Sequence, residues 1–258
     1  MEASARGFSH VASTYEASRP EYPRSTVNYI ASLAPRGGLI LDLAAGTGKL
    51  TRMLAGTGRE VVAVEPIEEM RSQLSESVPA VTVLDGLAES IPIGSSTVDL
   101  VTVAQAFHWF DSQTALTEIK RVLKSGGSLA IIYNKPLVSE TNQELWAGVA
   151  RALRAAAVPR TTQTSVRKLL SEAFSDAPCW SPVQHISARF TEPLCIDDFV
   201  ELTGSSSFAG SLRPEQRATM LNAVRESCRG WLDRGNELSI DWLTDCYITS
   251  LSSECADR

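Results

Sequence analysis

Short apolar runs alternate with amphipathic stretches along the first half of the chain. Leu39–Leu43 is a buried-strand run that ends in a glycine-containing loop, and Lys49–Leu54 opens a helix behind it. Glu60–Val64, "EVVAV", predicts the next strand, Ile67–Ser77 a helix, and Val81–Leu84 a further strand. Val98–Ala104, "VDLVTVA", is a strongly apolar strand, and Thr114–Leu123 spaces its apolar residues by three and four, as a helix does. Gly126 and Gly127 stop that helix before a fifth strand at Leu129–Tyr133. Upstream, Pro20 and Pro23 fix an extended entry to the first helix. Strands alternating with helices predict an α/β fold with a parallel sheet and right-handed crossovers.

The pattern changes after Lys135. Two helices are expected, Asn142–Ala157 and Ser165–Phe174, then a strand-like run at Val183–Phe190. A short helix at Asp197–Leu202 and a long one at Pro214–Asp233 precede an alternating run, Leu238–Leu251. The two late strands are expected to join the sheet antiparallel, giving seven strands in one domain over residues 1–258. The helical segments 136–180 and 196–235 are expected to form a lid over the carboxyl edge of the sheet.

Composition narrows the setting. The chain has 258 residues, 43% hydrophobic and 21% charged, which suits one domain of generous size. The net charge of −6 is spread over both halves, with 12 basic and 14 acidic residues up to position 135 and 12 and 16 beyond it. No basic stripe appears, so nucleic acid is a poor partner. The first thirty residues hold no apolar signal core, and no run approaches the ~20 residues of a membrane span. Five cysteines (Cys179, Cys195, Cys228, Cys246, Cys255) without a C-x-x-C pair suggest reduced thiols and a cytoplasmic protein. No metal-binding cluster is expected, and the oligomeric state stays open.

The loop after the first strand, "ILDLAAGTGKLT", decides among three nucleotide-binding patterns. A P-loop needs glycine at 43 and a hydroxyl at 50, where the chain has Leu43 and Leu50. The dinucleotide fingerprint, aligned on Gly46, needs glycine at 44 and 49, where Ala44 and Lys49 stand. The pattern acidic-x-G-x-G-x-G, which cradles S-adenosylmethionine, fits Asp42, Ala44, Gly46 and Gly48 with one glycine-to-alanine change. Alanine is the least costly substitute there, provided φ at 44 is negative.

In an open α/β sheet, ligands bind beyond the carboxyl ends of the strands. Glu65 ends strand two, 19 residues beyond Gly46, where a carboxylate accepts both ribose hydroxyls. Asp42 is expected to accept loop amides or to lie near the ligand's amino group. After strand three, "DGLAESIP" offers Gly86, Leu87 and Ala88 to adenine, with Asp85 or Glu89 near its exocyclic amine. Gln105, ending strand four, is expected to hydrogen-bond the methionine part of the cofactor. His108 stands at the cleft edge as a general base, an acceptor-orienting group or a brace for the turn. Trp109 beside it can wall the pocket, whereas Phe107 and Phe110 suit the packed core. Tyr15 and Arg19, in "TYEASRPEYP", could close over the cofactor, and Arg19 could clamp a carboxylate. Asn134, ending strand five, is an acceptor contact.

"LDLAAGTGKLT", "VVAVEP", "LDGLAESIP" and "VDLVTVAQAFHWFD" occur in the order and spacing of the class I S-adenosylmethionine-dependent methyltransferases, of the broad small-molecule type called type 11. "FSHVASTYEASRPEYP" and "ELSIDWLTDCYITSL" are similar to a subgroup resembling the trans-aconitate methyltransferases. The resemblance implies a Rossmann-like sheet, S-adenosyl-L-methionine as cofactor, and further cofactor contacts at Ala45, Pro66 and Met70. It is a poor guide to the acceptor, because such families methylate many molecules. The expectation is O-methylation of a carboxylate or hydroxyl on a small molecule. The alternatives are internal cleavage or cyclisation of the cofactor, a cofactor-binding partner subunit without catalysis, or, more remotely, a nicotinamide dehydrogenase. A carboxylate acceptor needs no base at neutral pH, whereas a hydroxyl can.

Overall fold

The computed structural model describes residues 19–140, 142–156, 166–175, 177–204, 209, 212–230 and 237–252. Seven strands form one sheet: β1 (Leu39–Leu43), β2 (Glu60–Val64), β3 (Thr82–Leu84), β4 (Val98–Ala104), β5 (Leu123–Pro136), β6 (Gln184–Cys195) and β7 (Glu237–Ser250). Their spatial order is β3-β2-β1-β4-β5-β7-β6. β1 to β5 pair in parallel, and β7 lies antiparallel between β5 and β6. The order reverses between β1 and β4, so the two halves of the sheet part at that point and leave a crevice.

The central strands are buried on both faces, which is why they read as continuous apolar runs. On one face pack α1 (Arg24–Ala31), α2 (Lys49–Ala55) and α3 (Glu68–Ser77), through Ile30, Leu54 and Leu74 among others. On the other face packs α4 (Ser112–Val122), through Ala115, Ile119 and Val122. Its first turn is capped by Asp111, whose side chain accepts the Thr114 amide at 2.9 Å.

The glycine pair at 126 and 127 does not delay β5. Pairing begins at Leu123, opposite Val98, and resumes at Ser128 opposite Leu100, so the glycines occupy an irregularity within the strand. β6 also runs five residues beyond the expected Phe190, to Cys195. Those residues, Thr191–Cys195, pair with Glu237–Asp241 of β7, whereas β5 stops at Pro136 opposite Trp242. A two-stranded ribbon therefore projects past the carboxyl end of β5 by about 17 Å, at ~3.4 Å per residue.

That ribbon carries a second core. α5 (Gln143–Ala155), α7 (Ile196–Gly204) and α8 (Pro214–Ser227) bury Leu145, Val149, Phe199, Met220 and Val224 against Leu238, Ile240 and Trp242 of β7. α6 (Val166–Ala173) does not share it, although it falls in the segment expected as lid. Leu170 and Ala173 join the core of the sheet face beside α4, and Gln113 of α4 donates to the Ala173 carbonyl at 3.2 Å. Its apolar side matches the exposed flank of the sheet rather than the arm.

Candidate functional site

The loop after β1 is held by two buried carboxylates with different partners. Asp42 is fully buried, and its oxygens accept the hydroxyls of Thr51 at 2.6 Å and Thr102 at 2.8 Å. It thus ties the first turn of α2 to β4 across β1. Burial raises its pKa to about 6, with the two hydroxyls opposing the shift. The loop amide expected at Asp42 goes instead to Glu65. Gly46 N–H donates to Glu65 Oε2 at 2.9 Å and Ile67 N–H to Oε1 at 3.0 Å. Burial also pushes the Glu65 carboxyl up, against those amides and the nearby Arg71 charge. Each of its oxygens keeps a second lone-pair site for a ligand donor.

Arg71 is a site residue that sequence reasoning missed. Its Nη1 lies 2.9 Å from both the Glu65 carbonyl and Asp85 Oδ1, binding the tips of β2 and β3 together. The available signal was its place on the helix that follows Glu65.

Ala44 overturns the condition attached to it. Its φ is +55°, in the left-handed region that disfavours a side chain. Gly46, at +59°, has no atom within 4 Å of where a Cβ would stand, so its backbone is open to a ligand. Gln105, at the tip of neighbouring β4, is also left-handed at +59°. Two strained residues therefore flank the crevice between β1 and β4, a common feature of binding sites. The Ala45 amide, bonded to the Val64 carbonyl at 3.1 Å, draws the loop toward β2.

The segment after β3 divides the two acidic candidates. Asp85 is engaged by Arg71 and largely exposed. Glu89 accepts the Asp111 amide on Oε1 at 2.9 Å, while its Oε2 is buried and holds no hydrogen bond. Leu87 is 40% exposed beside buried Ala88, a ledge suited to one face of a flat base. Gly86 has no room for a side chain, since a Cβ would come within 2.5 Å of Pro92 Cδ. Pro66 is exposed and Met70 buried on the flank below Glu65.

At the other end of the crevice, Gln105 Nε2 donates to the Asn134 carbonyl at 3.0 Å. Both ends of the Asn134 side chain are committed, Nδ2 to the Glu21 carbonyl at 3.2 Å and Oδ1 to the Thr244 hydroxyl at 2.6 Å. Instead of standing free for an acceptor, it clasps the N-terminal segment to β5 and β7. Arg19 lies on that segment, and its carbonyl accepts Lys49 Nζ at 2.5 Å. Tyr15 lies outside the described residues.

His108, an exposed residue with a part-buried ring, sits in a single 3-10 turn, Phe107–Trp109, just beyond the carboxyl end of β4. Its ring centroid is 4.7 Å from that of Trp109, which is 38% exposed. Phe107 is fully buried in the sheet core, as expected, with Phe110 packed against it. Tyr133, which the sequence hid within an apolar strand, positions the histidine. Its hydroxyl accepts the His108 amide at 3.2 Å and lies 3.2 Å from Nδ1. The low-polarity surroundings hold the His108 pKa below the ordinary histidine value and raise that of Tyr133. Both groups are therefore neutral at pH 7.

The residues around β1, β2 and β3 fit S-adenosylmethionine. An open loop backbone would suit a methionine end, a carboxylate with spare acceptor sites a ribose, and an apolar ledge beside the unfilled buried oxygen of Glu89 an adenine. No cluster of three or more acidic, histidine or cysteine residues suited to a metal occurs among the described residues. None of their helices is long and apolar enough to cross a membrane.

Comparison with known proteins agrees. A methyltransferase-domain family model matches residues 41–131. An uncharacterized methyltransferase of Mycobacterium tuberculosis is 33% identical over 247 residues, covering 95% of this chain and 96% of that protein. An uncharacterized methyltransferase-like protein of Schizosaccharomyces pombe is 43% identical over 123 residues, 46% of this chain and 48% of its own length. The fold is shared with a candidate type II methyltransferase from Anaeromyxobacter dehalogenans, at 24% identity, TM-score 0.66, and coverage of 89% and 97% of the two chains. The chain belongs to the S-adenosylmethionine-dependent methyltransferases.

Proposed function

We propose that the protein O-methylates a small-molecule acceptor, at a hydroxyl in preference to a carboxylate, in the cytoplasm. The observation that carries the choice is His108: accessible, neutral and fixed by Tyr133 at the carboxyl edge beside the crevice. A hydroxyl acceptor can use a base of this kind, and a carboxylate needs none at neutral pH. In this reading Nδ1–H donates to the Tyr133 hydroxyl, leaving Nε2 to take the acceptor proton.

When bound, the cofactor supplies a methyl carbon activated by a positively charged sulfur. Glu65 holds the ribose, Glu89 Oε2 accepts from the adenine amine, and the Ala44–Gly46 backbone receives the methionine end, with Gln105 across the crevice. Trp109 walls the acceptor side. The chain's task is to hold the acceptor oxygen in line with the methyl carbon and to exclude water. His108 Nε2 would take the proton that the acceptor hydroxyl gives up. The cap built on α5, α7 and α8 covers the acceptor.

The test uses S-adenosylmethionine with a labelled methyl group, purified protein and a metabolite extract, read by mass spectrometry. A labelled methyl ether, with S-adenosylhomocysteine accumulating, is expected. Methylthioadenosine without a labelled acceptor would overturn the reading.

A further inference from the structure

Glu192 is a charge set into an apolar stripe. On β6, Phe190, Glu192 and Leu194 share one face by strand alternation. Their cross-strand partners on β7 are Trp242, Ile240 and Leu238, all buried in the cap core. Phe190 stacks on Trp242 with ring centroids 6.5 Å apart. The Glu192 carboxylate thus emerges among aromatic and aliphatic groups on the projecting ribbon, beyond the carboxyl edge where the crevice opens.

Its Oε2 is buried and holds no hydrogen bond. The indole Nε1 of Trp242, one pair along the same face, is also buried and without a partner. Leaving a buried acceptor unpaired costs ~1–3 kcal/mol, so such atoms call for an explanation. Packing gives none, since Leu, Ile or Met would fill this stripe without penalty. Lys49, the residue that follows the cofactor loop, and Glu21 on the N-terminal segment are both near enough for their charges to act on Glu192. The carboxylate therefore lies within electrostatic reach of the loop that flanks the crevice.

We propose that Glu192 recognises the acceptor by taking a hydrogen bond from a hydroxyl or ammonium group remote from the methylated oxygen. The substrate class is then a small molecule with at least two polar groups, one methylated and one donating to Glu192. Trp242 N–H serves as the paired donor for an oxygen on the same molecule. A polyanionic acceptor is rejected, because the half-buried carboxylate would repel it. The inference rests on the proposed small-molecule methyl transfer.

The experiment compares the full-length protein with Glu192→Ala and Glu192→Gln. Each is given methyl-labelled S-adenosylmethionine and the same metabolite extract, and S-adenosylhomocysteine affinity is measured by calorimetry. All three should bind S-adenosylhomocysteine within about twofold. The labelled product should carry a further hydroxyl or amine. With its purified precursor, Glu192→Ala should raise the acceptor KM at least tenfold while kcat falls less than threefold. Glu192→Gln should retain much of the affinity if the donor is a hydroxyl and little if it is an ammonium. An unchanged acceptor KM in both variants overturns the role of Glu192 and leaves methyl transfer standing. Loss of S-adenosylhomocysteine affinity in both variants marks Glu192 as a brace and also overturns it. A native protein that labels nothing overturns both readings.

Discussion

The loop after β1 and the ribbon beyond β5 both carry acidic groups, and these are finished to different degrees. Around the loop, all four oxygens of Asp42 and Glu65 hold hydrogen bonds from the chain itself. On the ribbon, Glu192 Oε2 and Trp242 Nε1 are buried with none. A cofactor common to a whole family can be met by a preformed cradle. Glu89 Oε2, beside the ledge after β3, is likewise buried and unbonded, so in the proposed reading the unfilled atoms on both sides are places where a ligand would complete the hydrogen bonding.

His108→Ala tests the acceptor side most severely. A positioned base contributes roughly 100-fold or more, so turnover with a hydroxyl acceptor should drop by at least that factor. S-adenosylhomocysteine affinity, measured by calorimetry, should hardly move. An equal loss of both would make His108 part of the cradle and erase the contrast. In native protein, kcat/KM should fall with acid as His108 protonates, with a midpoint below the ordinary histidine pKa.

Asp42 tests the cradle through stability. Its pKa is 3.8 in a model peptide and about 6 in the fold, so the native state holds the proton more tightly than the unfolded chain. Its contribution is therefore greatest below pH 4 and is lost as pH rises to about 6, by up to roughly 3 kcal/mol at ~1.4 kcal/mol per pKa unit. Asp42→Asn removes that slope. Urea unfolding at pH 4 and pH 7 should show the variant gaining on the native protein by about that amount. Parallel stability curves would mean that Asp42 titrates normally.

Glu65→Ala should weaken S-adenosylmethionine binding by ~1–3 kcal/mol, the worth of a charged, buried hydrogen bond. An unchanged dissociation constant in calorimetry would remove Glu65 from the ribose. The smallest effect is the most local. Ala44→Gly should stabilise the fold by about 1 kcal/mol, because only glycine is free of strain at a φ of +55°. A lowered melting temperature would show that Ala44 contributes packing that outweighs its backbone strain.

Legibility followed the same division. β2 and β4 could be bounded to the residue because strands buried on both faces are continuous apolar runs flanked by polar turns. The ends of β5 and β6 could not. Gly126 and Gly127 look like a stop, yet strand pairing spans them. Glu192 and Pro193 look like the end of β6, yet the strand continues at the outer edge of the sheet, where a proline costs no ladder bond. Glu65 and Gly46 were legible from their spacing of 19 residues. Tyr133 was not, because its hydroxyl acts across the sheet on a residue 25 positions away. Asn134 lies two residues inside the end of β5, and the engagement of its side chain by Glu21 and Thr244 joins segments too far apart in the chain to be read from the sequence.

β7 has a mechanical consequence. One unbroken strand of 14 residues is clamped between β5 and β6 along most of its length and then continues, paired only with β6, into the cap core. Two α-helical caps joined by loops can swing, whereas a cap on the end of a clamped beam leans. Its tilt is resisted by the bending stiffness of the ribbon at its root, around Trp242 and Pro136, and no single torsion angle releases it. The position of the cap helices relative to the sheet is thus set by backbone elasticity, and a change at the root of the beam alters it by degrees.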